Sequence, residues 1–247
     1  MSIYTSEGLV KHAEKALALK TKYMWGGILR TIEQQYDLLF KMYGTKAGTG
    51  YTAERWNELA KLRNKGVYGV DCVGLIKSYY WSGKADGGVG SPKYGAAGFP
   101  DVSASYMFKA AKVKGKVKDL PEIPGLILFN TAHPHVGIYL GKGVTIESTL
   151  GTRGDGVVKR PLDNFWTDWF KCPYIEYPKE ASTKIKKCRL AFPAVVRKEA
   201  SNSSARLDRL TVDTVVEVVL GSDTTDPKTG FTYVKIKQGW ITKSALE

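Results

Sequence analysis

The stretch YGVDCVGLIKSYYW, residues 68–81, places Cys72 directly after an acid and ahead of an apolar, aromatic run. A thiol attacks a carbonyl carbon only as the thiolate, and a helix N-terminus stabilises that anion. The loop GVYGVD gives way to the apolar run at Cys72, so the residue stands where a helix should begin. Such a nucleophile needs a base beside it and a third group that holds the base in place. The chain has three histidines, His12, His133 and His135. His12 falls in an N-terminal helical pattern. In NTAHPHVGIYLG, His135 opens an apolar strand pattern, whereas His133 lies in the preceding turn and reads as a solvated bystander. Glu147, in VTIEST, follows His135 by 12 residues. Two strands joined by a tight turn at GKG would bring the pair side by side, the arrangement in which a carboxylate orients an imidazole. An isolated cysteine is most simply a buried thiol; the ordered set Cys72, His135 and Glu147 points instead to nucleophilic catalysis.

The other cysteines, Cys172 and Cys188, complete neither a zinc pattern nor a CxxC redox pair. An odd count leaves at least one thiol free; a Cys172–Cys188 bridge is allowed but not required. Neither a metal nor a cofactor is expected.

The elements that must position these residues follow from periodicity. Residues 7–20 read as an amphipathic helix, residues 28–43 as a second, and TAERWNELAKLRNKG as a third, with Thr52 as N-cap and Gly66 as stop. Residues 72–82 are too apolar for a surface element and read as a buried helix. Residues 83–100, rich in glycine, form a long loop. VSASYMFKAAK is helical again. PGLILFN, HVGIYLG and VTIEST are three short apolar runs parted by turn residues, which predict strands of one sheet. KRPLDNFWTDWF reads as a capping turn or short helix, and Arg153 and Asp155 as members of a glycine-rich turn. Composition shifts near residue 179 to a polar, basic linker. Short alternating strands at close spacing then predict a small barrel.

The chain has 247 residues, 43% of them hydrophobic, enough for a sizeable core in one large domain or in a medium and a small one. The net charge of +13 favours anionic partners. Residues 1–187 carry 28 basic and 17 acidic side chains, against 9 and 7 in the remainder, so the surplus lies with Cys72. No clustered basic run or nucleic-acid motif accompanies it, which argues against a nucleic-acid binder. No run of about 18 apolar residues predicts a membrane span. The N-terminus lacks the layout of a secretory signal, so the expectation is either phage-type release or a leader already removed.

DCVGLI, HVGIYLG and the polar residue 12 positions after His135 together resemble the NlpC/p60 cell-wall cysteine peptidases, members of the papain-like group. YMWGG resembles that family's YxWGG stretch, and IPGLILF its PGDLVFF strand. The resemblance covers most of residues 7–178. It implies catalysis by Cys72, His135 and Glu147, with Tyr23 supporting the cysteine. It implies a substrate site at Asp71, Val73 and Trp25, with Asp71 taking the free amine of the stem peptide's L-alanine. Asp71 can also be an N-cap, and Tyr23 and Trp25 can be core aromatics. Val73 stands where the family has serine. About 40 residues separate YMWGG from DCVGL, where the family has about ten; this insertion, 28–66, is expected to wall one side of a cleft. The last 60 residues resemble bacterial SH3-like wall-binding domains, with Trp240 either core or an aromatic platform.

The fold class implied is α+β. A papain-like domain over 1–180 would carry N-terminal helices packed on an antiparallel sheet, followed by an all-β SH3-like barrel over 181–247. The function implied is peptidoglycan hydrolysis at the γ-D-glutamyl–diamino acid bond through a cysteine thioester, by a monomer acting at the bacterial cell wall and its anionic polymers. The alternatives are an N-acetylmuramoyl-L-alanine amidase on the same fold and a non-catalytic wall-binding protein.

Overall fold

The computed structural model describes residues 4–178, 185–220 and 222–246. The chain divides into two units, residues 1–177 and 178–247. The linker expected from residue 179 lies, through residue 184, outside the described residues. Among the described residues no helix is long and apolar enough to cross a membrane.

The first unit is mixed α+β. Its elements begin with α1 (Ser6–Leu17), β1 (Thr21–Tyr23), β2 (Ile28–Thr31), α2 (Ile32–Tyr43), α3 (Ala53–Ala60), β3 (Tyr68–Val70), α4 (Cys72–Trp81) and α5 (Ala104–Ala110). They continue with β4 (Lys114–Lys116), β5 (Ile127–Asn130), β6 (His135–Gly141), β7 (Val144–Gly151), β8 (Gly154–Pro161) and β9 (Asp168–Phe170). Strands β4 to β9 form one antiparallel sheet in the order β4-β9-β5-β6-β7-β8. Period-two alternation splits β5 between two cores: Ile127 and Phe129 face the main core with α1 and α4, and Leu128 faces a second core with Tyr139, Trp166 and Trp169. Every residue of α4 is buried, as its unbroken apolar run demands. His12 is also buried, with Nε2 2.8 Å from Ser78 Oγ on α4. Burial pushes its pKa down to about 4, so it is a neutral core residue.

The helix expected over 28–43 begins only at Ile32. Residues 28–31 instead form β2, beside β3 in a small sheet of order β1-β3-β2. Ile28 and Leu29 are buried there, and Leu29 takes a positive φ of 51° where the β2–β3 register shifts. Thr31 and Gln34 then close a reciprocal capping box that starts α2. The third helix starts at its Thr52 cap as expected but ends at Ala60, well short of Gly66. The insertion builds its own core from Ile32, Leu39, Tyr51, Trp56 and Leu59, closed by Met24 of YMWGG. KRPLDNFWTDWF is not helical: Lys159 to Pro161 end β8, and β9 begins at Asp168. Backbone pairing to β7 and β5 decided this stretch, and local sequence does not report such pairing.

In the second unit, β10 (Ile185–Arg189), β11 (Ala194–Arg197), β12 (Arg206–Leu210), β13 (Val215–Val219), β14 (Thr224–Thr225), β15 (Thr232–Ile236) and β16 (Gly239–Thr242) form one antiparallel sheet. Its core gathers Leu190, Val196, Val216, Val234 and Ile241. Trp240 is only half-buried and stays outside that core. It pairs across the sheet with Arg197 and Lys235, whose ammonium lies 6.0 Å from the indole centroid.

Candidate active site

Asp71 is the N-cap of α4, accepting the N–H of Gly74. Its other oxygen accepts the Gly26 N–H at 2.7 Å, which ties the helix start to the YMWGG turn. The approach is close enough to require Gly74, since a Cβ there would stand 1.9 Å from the Gly27 carbonyl oxygen. Burial pushes the Asp71 carboxyl up, opposed by the Gly74 bond and the charge of Lys77. Cys72 thus sits in the first turn of α4, where backbone N–H groups have no helical partner. Its thiol is 8% exposed and free, as are the buried Cys172 and Cys188. Burial pushes the Cys172 thiol up to about 12, which keeps it protonated and inert.

His135 Nε2 lies 2.7 Å from Glu147 Oε2, and Cys72 is close enough to the imidazole to raise its pKa. Glu147 occupies Nε2, which leaves Nδ1 for the thiol. Burial works against a charged ring here, yet the bonds and charges of Cys72 and Glu147 outweigh it and push the pKa up to about 9. The pair is diagonal across the strands. Ile138 stands opposite Ile146, so the same register puts Gly137, not His135, across from Glu147. Residues 135 and 137 share a face, and the missing side chain at Gly137 leaves room on it. Trp166 fills that room and stacks on His135, with centroids 5.7 Å apart and planes at 21°. A Cβ at Gly137 would stand 2.7 Å from the Trp166 ring.

Glu147 is fully buried. Burial alone would raise its carboxyl, but His135 and Arg153 hold it below the usual range. Arg153, read from sequence as part of a plain turn, sends Nε and Nη2 to Glu147 Oε1 at 3.0 and 2.7 Å. Its Nη1 donates to Asp163 at 2.9 Å, and its guanidinium lies 4.0 Å from the Phe165 centroid. Glu147 therefore gives one oxygen to the base and the other to a fixed cation. Asp155 corrects the same reading. It accepts both guanidinium nitrogens of Arg55, the Lys22 ammonium and the Tyr23 N–H at 2.6–3.0 Å, while Arg55 also donates to the Tyr23 carbonyl. One glycine-rich hairpin thus steadies both the acid and the tyrosine. Phe165 and Trp166 likewise went unread; an aromatic pair just beyond an Asp, in a segment read as a capping turn or short helix, was the available signal.

Tyr23 is buried beside Cys72; burial first, then the Cys72 and Asp71 charges, raise its pKa and keep it a phenol. Trp25 is 40% exposed, not a core aromatic, and its carbonyl accepts the Tyr51 hydroxyl. Two pockets meet at Cys72, Tyr23, Trp25 and Pro134. The first, of about 270 Å³, also holds Asp71, Val73, Lys77 and Asp101. The second, more open and of about 590 Å³, holds His133, His135, Arg153 and Phe165. The insertion borders both, with Met42 and Tyr43 on the first and Gly48 to Gly50 on the second. His133 is exposed and joins neither His135 nor Glu147. The arrangement can carry out acyl transfer: a nucleophile, a base with a fixed tautomer, N–H and O–H donors, and room on both sides of the scissile bond.

No family model and no curated protein matches the chain. Among solved structures it is similar to the P60 domain of an antigen from M. avium subspecies paratuberculosis, at 22% identity over 70% of this chain and 98% of that one, with a TM-score of 0.37. It is also similar to the peptidoglycan hydrolase RipB from Mycobacterium tuberculosis, at 21% identity over 70% of this chain and 67% of that one, with a TM-score of 0.36.

Proposed function

We propose that this chain is a cysteine peptidoglycan hydrolase of the NlpC/p60 kind that cuts the stem peptide between γ-D-glutamate and the diamino acid. The observation that carries the reading is the gathering of Cys72, His135 and Glu147, with His135 Nε2 2.7 Å from Glu147, at the meeting point of two pockets. His135 takes the thiol proton at Nδ1, and Cys72 Sγ adds to the γ-carbonyl carbon. On this reading the Cys72 N–H at the start of α4 and the Tyr23 hydroxyl donate to the oxyanion. His135 then protonates the leaving amine as the C–N bond breaks. Water, deprotonated by His135, hydrolyses the thioester and restores the thiol. Glu147 keeps the proton on Nε2 and balances the imidazolium. Asp71, at the base of the first pocket, suits the free amine of L-alanine alongside its N-cap role, while Val73 and Trp25 line the acyl side.

The second unit reads as an SH3-like wall-binding barrel, with half-buried Trp240 as its aromatic contact. The positive surplus of the first 187 residues suits anionic wall polymers. Mass spectrometry of digested peptidoglycan tests the bond choice. A new N-terminal diamino acid supports the endopeptidase, a free L-alanine amine on released peptide replaces it with an amidase, and no product leaves only wall binding.

A further inference from the structure

The first pocket holds a cation that the reaction does not use. Lys77 lies one helical turn beyond Val73 on α4, so both face the cavity that opens at Cys72. Its side chain is 10% exposed, and its ammonium pairs with Asp101, whose side chain is 60% exposed. The ammonium also lies 5.3 Å from the Trp81 centroid, which fixes the direction of the stem. The Asp101 side of the pair is well exposed and open to screening by salt. An ammonium also has three hydrogens to donate. A carboxylate arriving through the pocket can therefore share Lys77 with Asp101 or replace it, and it meets a cation already largely stripped of water.

The proposed substrate offers one such group. The acyl half of a γ-D-glutamyl bond carries the reacting γ-carbonyl and, on the same residue, an α-carboxyl. Its other charge, the free amine of the preceding alanine, has Asp71 to meet. An acid one residue before the nucleophile and a cation five residues after it give the pocket one site for each charge. We infer that Lys77 is a specificity-determining residue that receives the free α-carboxylate of the acyl-side glutamyl residue, so that the site selects it over the α-carboxamide form. The inference rests on the endopeptidase reading above.

Two synthetic tripeptides, L-Ala–γ-D-Glu–L-Lys with the α-carboxylate free or as its carboxamide, test it on the full chain. Wild type should cut the free acid with kcat/KM about ten-fold or more higher, the difference lying mainly in KM, because the carboxamide leaves the ammonium unmatched. Lys77→Met, which keeps an unbranched stem over Trp81, should bring the two peptides to within about two-fold of each other. Lys77→Arg should keep the preference, and Asp101→Asn should lower KM for the free acid. Equal cleavage of both peptides by wild type overturns the inference and leaves the endopeptidase reading intact. A preference that survives Lys77→Met also overturns it. If Lys77→Met does not fold, the wild-type pair of rates decides alone. If wild type cuts neither peptide, the endopeptidase reading fails; calorimetric binding of both peptides to Cys72→Ser then decides, with equal affinities overturning the role of Lys77 and tighter binding of the acid supporting it.

Discussion

On the proposed mechanism the chemistry at Cys72 depends on transfer of the thiol proton to His135. Cys72→Ser should fold normally and lose about three orders of magnitude or more in kcat on soluble stem peptide, because a hydroxyl is a far poorer nucleophile than a thiolate. Cys172→Ser and Cys188→Ser should stay active, since neither side chain lines the two pockets. In the proposed mechanism the imidazolium is the acid that releases the amine, so kcat/KM should fall as pH rises through about 9, where His135 loses its proton. Glu147→Gln removes one of the charges that hold that proton and should move this alkaline limb to lower pH. The same shift bears on folding. The stability contributed by charged His135 is fully present below its unfolded value near 6.5 and is lost as pH rises toward 9. Glu147, held low, works the other way: its contribution is present above about 4.5 and is lost on acidification. Arg153 makes Glu147→Gln harsher than the loss of a charge alone. If the amide oxygen serves His135, its NH₂ group must face the guanidinium. Adding Arg153→Met should therefore recover part of the activity lost in Glu147→Gln, whereas Arg153→Met alone should be destabilising by about 3–5 kcal/mol, the usual result of breaking a buried pair. Simple additivity in kcat and in unfolding free energy would show that the two side chains act separately.

At the scale of elements, the site depends on close approaches that glycine permits. Gly137→Ala would push into Trp166 and turn the ring that stacks on His135. It should lower kcat much more than it raises KM, which steady-state kinetics on a soluble peptide would read. Arg55→Met would release both the Tyr23 carbonyl and Asp155. It should lower the melting temperature by several degrees, and kcat with it if Tyr23 supports the thiol as proposed. The buried helix after Asp71, the strands of PGLILFN, HVGIYLG and VTIEST, and the 12-residue offset from His135 to Glu147 were legible because periodicity and spacing are local properties. The diagonal registry of that pair was not, because it depends on which residue of β7 faces Ile138. Arg153, Asp155 and Arg55 were not legible either: each is an ordinary charged residue in a turn or an exposed-looking helix, and the partners that matter lie from 6 to 133 residues away in sequence. Residues 28–31 read as the front of a helix because apolar spacing runs on unbroken into α2; only the Thr31–Gln34 capping box marks the true start.

For the whole molecule, the two units have separate cores, and the proposal assigns the chemistry to the first and wall contact to the second. A chain ending at Pro178 keeps Cys72, His135, Glu147 and their sheet, and should cut soluble stem peptide at the full rate. On intact walls it should lose activity in proportion to lost binding, because tethering raises local substrate concentration without touching the chemistry. The basic surplus of the first unit will hold the truncated chain on anionic walls at low salt. Raising salt from about 0.05 to 0.3 M shortens the screening length to well under 10 Å and should strip that contribution. Equal wall binding by the truncated and full chains at the higher salt would remove the barrel, and Trp240 with it, from targeting. The central claim concerns a bond to sulfur, and acid-quenched peptide mapping during turnover of L-Ala–γ-D-Glu–L-Lys observes it directly. The account predicts a mass increment equal to the L-Ala–γ-D-Glu acyl group on the peptide that contains Cys72, absent in Cys72→Ser. Cleavage of the tripeptide by Cys72→Ser at the wild-type rate, with no adduct on the wild-type protein, would contradict it.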